Sequence, residues 1–271
     1  QTIDDVTRAF KEGKIAVVHA VETASAIDSD VDRLDVLYGL GLRSMGICYS
    51  NSNPLGSGLG EINDGGLTDF GYDAVKRMNK HGIIIDVAHA GDKTALDTIE
   101  TSDKPILVSH RGTRTLTNTT RMLPDTVLQA LAEKDGVIAV EVAGFGLRTD
   151  KHAEASIEGL LEHIEYLIEF LGADFVGAGP DTMYQDHAGM YRAPSRARGH
   201  YPRTHPKGPV IRHATWRVDV VRDLDYVKGL ESASDFANIA RGLIRDGFSD
   251  QEIAKVMGLN GLRLIKACWP R

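Results

Sequence analysis

Two histidines stand at the ends of two neighbouring apolar segments. His89 closes the run Gly82–His89 and His110 closes the run Pro105–His110, with one helical segment between the two runs. If both runs are parallel strands, the two imidazoles lie at the same height on adjacent strands, where they can chelate one metal ion. Either histidine alone is more simply explained as a hydrogen-bonding partner of loop backbone. The matched placement of the pair favours a metal site.

Two carboxylates also follow apolar segments. Glu22 comes directly after Lys14–Val21, where an unpaired carboxylate is costly and needs a cation or donors. The carboxylate would be satisfied equally well by bridging two metal ions or by a salt bridge to an arginine. Asp181 follows the small-residue run 176–180, which lets backbone come close to a ligand. Its carboxylate can shuttle the proton of a metal-bound water, or it can cap the following turn.

Two further polar residues complete the candidate site. Tyr49 ends the apolar run Arg43–Tyr49, so its side chain is expected at the same edge of the sheet as the other strand ends. Arg121 lies on the loop that follows His110. Its planar guanidinium can clamp a substrate carboxylate in bidentate fashion, although a solvated surface arginine is the ordinary alternative.

These residues need a scaffold to position them. The sequence pattern predicts a scaffold in which strands alternate with helices. The predicted strands are continuously apolar, as in a parallel sheet covered on both faces: Lys14–Val21, Arg43–Tyr49, Gly82–His89, Pro105–His110, Gly136–Val142 and Asp174–Gly179. The predicted helices between them are Val31–Leu40, Thr68–Lys80, Lys93–Glu100, Pro124–Glu133 and Ile157–Leu171. Two or three more helices are predicted from about Ser232 to Lys266. The 271 residues are expected to form a single domain.

Composition excludes several classes of protein. A formal charge of −7 gives no general attraction for nucleic acid. Cys48 and Cys268 are too few for a disulfide framework and are expected to be buried thiols. No apolar run is long enough for a membrane span and no signal peptide is recognisable, so the chain reads as cytoplasmic.

Two segments interrupt the alternation of strands and helices. Asn51–Gly66 is a loop rich in Gly, Asn and Ser, and Tyr184–Val218 is a long stretch rich in Pro, Arg and His. Loops of this length are usually functional lids or disordered. The second segment follows Asp181, so it is predicted as a lid-like insertion at about 184–218. Its basic character would suit an anionic substrate, and a solvated, mobile loop is an equal alternative.

Taken in order, these motifs resemble the renal (membrane) dipeptidase family of the amidohydrolase superfamily. The resemblance is carried by eight pieces: Ala20–Glu22, Gly41–Arg43, Gly66–Gly71, Met78–Asn79 with Ile84–His89, Val108–His110, Arg121 with Pro124–Asp125, Val176–Gly179 with Asp181, and Gly258–Arg263. It implies a TIM-like (β/α)8 barrel and a zinc-dependent hydrolase that cleaves dipeptides, including those with a D-residue at the carboxyl end. A homodimer is also implied.

The resemblance assigns roles to individual residues. Glu22 would bridge two zinc ions, and His89 and His110 would bind the second of them. Arg121 would hold the substrate carboxylate and Asp181 would shuttle the proton. Two metal ions would together activate a water and stabilise the developing oxyanion.

Two features depart from the family pattern. The family begins with a His-x-Asp pair on a first barrel strand, which nothing before Lys14 supplies, and six predicted strands fall short of eight. An upstream segment outside this sequence is the favoured explanation over a shortened variant, because a barrel without its first strand exposes two sheet edges. Two zinc ions are expected if those ligands exist and one if they do not.

Tyr49 is the second departure, because it stands where many members carry a histidine. A tyrosine can still donate a hydrogen bond to an oxyanion, so the residue is assigned to catalysis and substrate binding. The substitution leaves two alternatives open beside the dipeptidase. One is a related hydrolase of a non-peptide amide or lactone, and the other is a metal-poor binding protein that kept the barrel.

Overall fold

A computed structural model describes residues 2–142, 146–181 and 227–269. Its sheet has six strands in the order β1 to β6, and the strand pairs whose register is known are parallel. The strands are β1 (His19–Val21), β2 (Leu42–Gly46), β3 (Ile84–Asp86), β4 (Leu107–Val108), β5 (Val137–Val140) and β6 (Val176–Ala178). Five of them lie within predicted runs, β2 begins one residue before the predicted run Arg43–Tyr49, and each of the five predicted helices is present between them.

The described helices are α1 (Ile3–Lys11), α2 (Arg33–Gly39), α3 (Asp69–His81), α4 (Asp92–Thr101), α5 (Asp125–Glu133), α6 (Ile157–Leu171), α7 (Ala237–Arg245), α8 (Asp250–Ala254) and α9 (Asn260–Cys268). The sequence did not predict α1. One of its apolar residues, Val6, packs against a buried cluster that includes Ile84 and Leu264, whereas Phe10 is 84% exposed. Helix α1 is therefore stabilised by distant partners that its own short pattern does not reveal.

Helix ends follow local rules. The hydroxyl of Thr68 accepts a hydrogen bond from the backbone N–H of Gly71 and so caps α3. The same helix ends at Gly82, whose φ of 74° is the left-handed conformation that glycine adopts without strain. Ser249 caps α8 in a capping box with Glu252. Helix α5 begins at Asp125 rather than at Pro124, one residue later than predicted.

The first predicted strand is wrong in its extent and burial. Only His19–Val21 is a strand, and residues 11–20 are exposed, including Ile15 at 91% and Val17 at 76%. Strand β1 is the first strand in the sheet order and pairs with β2 in parallel. Within the described ranges β1 pairs on one side only, with β2, so apolar content alone overestimated its burial.

The loop Asn51–Gly66 is packed rather than open. Residues 55–59 are buried, and the backbone N–H of Leu59 donates to the carbonyl of His89 at 2.8 Å. Asp64 caps α4 from this loop, since its carboxylate accepts from the backbone N–H groups of Lys93 (2.6 Å) and Thr94 (3.3 Å). The expectation of a disordered stretch is therefore wrong for this segment, and its role as a lid stays a prediction.

The contacts divide the chain into two compact units. One comprises Gln1–Ser109, Thr126–Val137 and Leu259–Arg271, and the other comprises His110–Asp125 and Ile138–Gly258. The single domain expected from length stays a prediction. None of the helices in the described ranges combines the length and the hydropathy that crossing a membrane requires. The predicted lid-like insertion Tyr184–Val218 lies outside the described residues.

Candidate metal centre

Three predicted ligands meet. Glu22 follows β1 directly, His89 comes three residues after the end of β3, and His110 comes two residues after the end of β4. One ligand atom from each of the three lies within 4.8 Å of the other two, and Oε1 of Glu22 is 3.1 Å from Nε2 of His89. Both histidines are buried, whereas the side chain of Glu22 is 47% exposed. The matched placement predicted for the histidine pair is therefore observed.

A glycine on the neighbouring strand makes room for Glu22. A Cβ atom added to Gly46, the last residue of β2, would lie 2.0 Å from the carbonyl oxygen of Glu22. Atoms do not approach so closely without a shift, so any side chain at this position would push the Glu22 backbone away. The absence of a side chain at Gly46 is thus part of what places the carboxylate.

Tyr49 lies against one of the histidines. Its ring stacks on the ring of His89, with 4.2 Å between centroids and an angle of 23° between the planes. Stacking of this kind restricts rotation of the imidazole while leaving the phenol half-buried. Tyr49 is therefore adjacent to the ligand set, as its position at a strand end predicted.

Arg121 is a buried residue, not a solvated one. It is 7% exposed, and its Nη2 donates to the backbone carbonyl of His110 at 2.7 Å. Two other arginines hold the loop around it: Nε of Arg111 donates to the carbonyl of Arg121 at 2.7 Å, and Arg114 donates to the carbonyls of Thr119 and Met122. The interpretation of Arg121 as a surface arginine is wrong.

The partner of Arg121 is a residue that sequence reasoning missed. Glu141 follows β5, is 1% exposed, and places Oε2 2.5 Å from Nη2 of Arg121. Burial raises the pKa of Glu141, and the positive charge of Arg121 opposes that rise. The signal was present in the run Val-Ile-Ala-Val-Glu-Val, because a carboxylate inside an apolar strand needs a cation.

Asp181 lies at the end of the next strand. It is half-buried, has a φ of 53°, which is uncommon for a residue other than glycine, and contributes to the electrostatic environment of Glu141. Backbone hydrogen bonds from Gly179 to Val140 (3.0 Å) and from Val142 to Pro180 (3.3 Å) connect the ends of β6 and β5. The acidic side chain is thus at a strand end, and its proton-shuttle role stays a prediction.

The donor set of Glu22, His89 and His110 suits a metal ion. Two neutral imidazoles and one carboxylate are the nitrogen and oxygen ligands that Zn²⁺ accepts. A pair of buried imidazoles this close to a carboxylate gains from a shared cation, because each can then direct a lone pair toward positive charge. The residues therefore fit the metal that the resemblance implied.

Comparison with solved structures identifies the class of protein. An amidohydrolase from Pseudomonas aeruginosa superposes with a TM-score of 0.83 at 28% identity, covering 99% of this chain and 77% of that one. A metallopeptidase from Rhodobacter sphaeroides, solved with a phosphinate mimic of the dipeptide L-Ala-D-Ala, gives 0.78 at 24% identity, covering 99% and 68%. The fold is therefore the α/β barrel of the amidohydrolase type, as predicted.

The sequence identifies the family. The family described as membrane dipeptidase (peptidase family M19) matches residues 1–191, so the chain belongs to it. Similar curated proteins are an uncharacterized dipeptidase of Schizosaccharomyces pombe, 28% identical over 269 residues, and the dipeptidase tcpJ of Claviceps purpurea, 26% identical over 265 residues. Each match covers 97% of this chain but 56% and 53% of the relative. The chain thus spans about half the length of these relatives.

Proposed function

We propose that this protein is a metal-dependent hydrolase that cleaves the amide bond of dipeptides, with zinc as its metal. The observation that carries the proposal is the convergence of Glu22, His89 and His110 within 4.8 Å. Membership of the dipeptidase family supports the substrate class. A dipeptide with a D-residue at the carboxyl end is part of the proposal, and a homodimer stays a prediction.

Each residue of the site has a distinct task in this proposal. Glu22, His89 and His110 would hold the metal. When bound, zinc would supply Lewis-acid chemistry: it would lower the pKa of a water so that the water can lose a proton and act as the nucleophile, and it would polarise the scissile carbonyl. Tyr49 packs on His89 and offers a phenol that can donate a hydrogen bond to a developing oxyanion.

Arg121 would bind the substrate and Asp181 would transfer the proton. The guanidinium of Arg121 is the group suited to the free carboxylate of a dipeptide, because it carries a permanent positive charge and several N–H donors. Asp181 would accept the proton released during attack and return it to the leaving amine. The small residues before Asp181 leave space for a ligand to approach the backbone.

The direct test is turnover by the zinc-loaded protein. A panel of dipeptides that includes L-Ala-D-Ala would be offered beside non-peptide amides and lactones, with zinc content measured by elemental analysis. Hydrolysis of dipeptides with zinc bound supports the proposal. Turnover confined to amides or lactones moves the protein to another substrate class, and protein without metal or activity is the outcome expected of a binding homologue.

A matched pair of variants ties activity to the site. His110→Asn should lower zinc affinity and turnover by about 100-fold or more, since a lost ligand removes direct coordination. His152→Asn is the control, because His152 is partly exposed and 3.9 Å from Glu162 rather than beside the ligand set. Equal losses in both variants would count against His110 as a ligand.

A further inference from the structure

The ion pair between Glu141 and Arg121 is closed to solvent. The two side chains are 1% and 8% exposed, and 2.5 Å separates Oε2 from Nη2. Within the described residues, neither oxygen of Glu141 has a hydrogen bond of good geometry, so burial of the carboxylate is compensated by nearby positive charge, first that of Arg121. Such pairs are often no more stabilising than apolar replacements, which suggests a role beyond stability.

The backbone of Arg121 is fixed independently of Glu141. Arg111 is fully buried and donates from Nε to the carbonyl of Arg121 and from Nη2 to the carbonyl of Thr120 at 2.8 Å. Arg114 donates from Nη2 to the carbonyl of Met122 at 2.7 Å. The start of the Arg121 side chain is thus held in place, and what remains to be set is the direction of its guanidinium.

Glu141 is itself rigidly placed. Its backbone N–H donates to the carbonyl of Arg111 at 3.3 Å, and the N–H of Val142 donates to Pro180 at 3.3 Å. The carboxylate therefore projects from a strand end that is tied on both sides. Glu141 and the carbonyl of His110 both contact Nη2 of Arg121, so they act on the same end of the guanidinium.

We propose that Glu141 is a positioning residue that orients the Arg121 guanidinium and thereby sets a preference for substrates with a free carboxylate over those with a neutral end. A guanidinium is planar, and the Nη2 end of Arg121 already faces Glu141 and the His110 carbonyl, so only one orientation offers its remaining N–H groups to a substrate carboxylate. The contacts of Glu141 and the His110 carbonyl with Nη2 select that orientation before the substrate arrives. Less conformational entropy is then lost on binding. The inference rests on the proposed dipeptidase function.

The test uses two probes that cannot be hydrolysed. Both are L-Ala-D-Ala analogues in which a methylene replaces the scissile carbonyl, one ending in a carboxylate and the other in an amide. Calorimetric titration of the zinc-loaded wild type should show the carboxylate binding about 10-fold tighter or more. Glu141→Leu should reduce this ratio to about 3-fold or less while leaving amide affinity unchanged, and Glu141→Gln should retain part of it.

Two controls separate positioning from folding. Glu158→Leu removes one member of the exposed pair with Arg245 and should leave the ratio unchanged. The double variant Arg121→Met/Glu141→Leu replaces the buried pair with apolar groups, so it should fold even if Glu141→Leu does not. It should show the same lack of preference as Glu141→Leu, because the two residues act as one unit.

Three outcomes would overturn the proposal. They are tighter carboxylate binding in the Glu141 variants, equal weakening of both probes, and a wild type that does not prefer the carboxylate probe. Failure of the proposed function looks different: if the wild type prefers the carboxylate probe, Glu141→Leu loses that preference, and no dipeptide is hydrolysed, the peptidase assignment is lost and the role of Glu141 is kept. If dipeptides are hydrolysed but the wild type shows no preference between the probes, the peptidase assignment is kept and the role of Glu141 is lost.

Discussion

Asp86 holds Ser109, the residue immediately before His110. Oδ1 of Asp86 accepts from the backbone N–H of Ser109 at 3.1 Å, and Oδ2 accepts from the Ser109 hydroxyl. Oδ1 also accepts from the N–H of Ala88 at 2.9 Å, the residue before His89. One carboxylate thus fixes the backbone just ahead of both histidines, which makes their alignment a property of the scaffold.

Replacing this carboxylate should weaken metal binding without removing a ligand. Asp86→Asn keeps the size of the side chain but replaces one acceptor oxygen with a donor, so the contacts to Ser109 are partly lost. We expect zinc affinity to fall by about 10-fold, as for other residues that orient metal ligands. Competition with a chromogenic chelator measures it.

The control for this variant is Asp97→Asn. Asp97 also accepts from a backbone N–H, that of Leu67 at 3.0 Å, but it takes no part in the ligand set. Asp97→Asn should lower the free energy of unfolding and leave zinc affinity unchanged. Equal loss of zinc affinity in the two variants would mean that general loosening, rather than alignment of the histidines, is responsible.

Gly46→Ala should disturb the centre through Glu22. The added methyl group would fall 2.0 Å from the Glu22 carbonyl oxygen, so the backbone must move. We expect destabilisation of about 1–3 kcal/mol and a lower zinc affinity. Gly39→Ala is the matched control, since nothing lies within 4 Å of its added Cβ. Urea unfolding and zinc titration of both proteins test this, and an unchanged zinc affinity in Gly46→Ala would contradict it.

Much of the scaffold could be predicted because it is encoded locally. Continuous apolar runs indicated all six strands, and helical spacing indicated the five helices between them. Strand ends then indicated the candidate metal ligands Glu22, His89 and His110, because a parallel sheet collects its strand ends at one edge. The exposure of Ile15 and Val17 could not be predicted in this way, since burial depends on which element lies alongside.

The residues that support the ligands were harder to find. Asp86 contacts Ser109 across 23 positions, and Gly46 matters only because Glu22 lies against it. Such contacts follow from strand register, which the pattern of apolar residues does not specify in detail. Glu141 differs, because its charge within an apolar strand was visible in the sequence.

The thiol of Cys48 should be inert in the native protein. Burial raises its pKa to about 12, so the nucleophilic thiolate is scarce at neutral pH. We expect iodoacetamide to modify Cys48 only after unfolding, as shown by mass spectrometry with and without denaturant. Cys268, whose pKa burial raises to about 11, should behave alike. Rapid labelling of native Cys48 would show that the thiol is accessible and would contradict its buried placement.

His163 should make the protein less stable in mild acid. It is fully buried on α6, where Nδ1 accepts from the backbone N–H of Thr113 at 3.2 Å and Nε2 lies 3.2 Å from the Thr117 hydroxyl. Burial lowers its pKa from 6.5 to about 4, so the native imidazole stays neutral while the unfolded one takes up a proton. Stability is therefore fully present above pH 6.5 and falls as the pH drops toward 4.

The size of this effect follows from the two pKa values. Between about pH 7.5 and about pH 5 the wild type should lose about 2 kcal/mol of unfolding free energy through His163 alone. His163→Gln keeps an acceptor for Thr113 but cannot be protonated, so it should be less stable at neutral pH and lose about 2 kcal/mol less on acidification. Urea unfolding of both proteins at the two pH values measures the difference. Parallel loss of stability in the two proteins would show that other groups control the acid response.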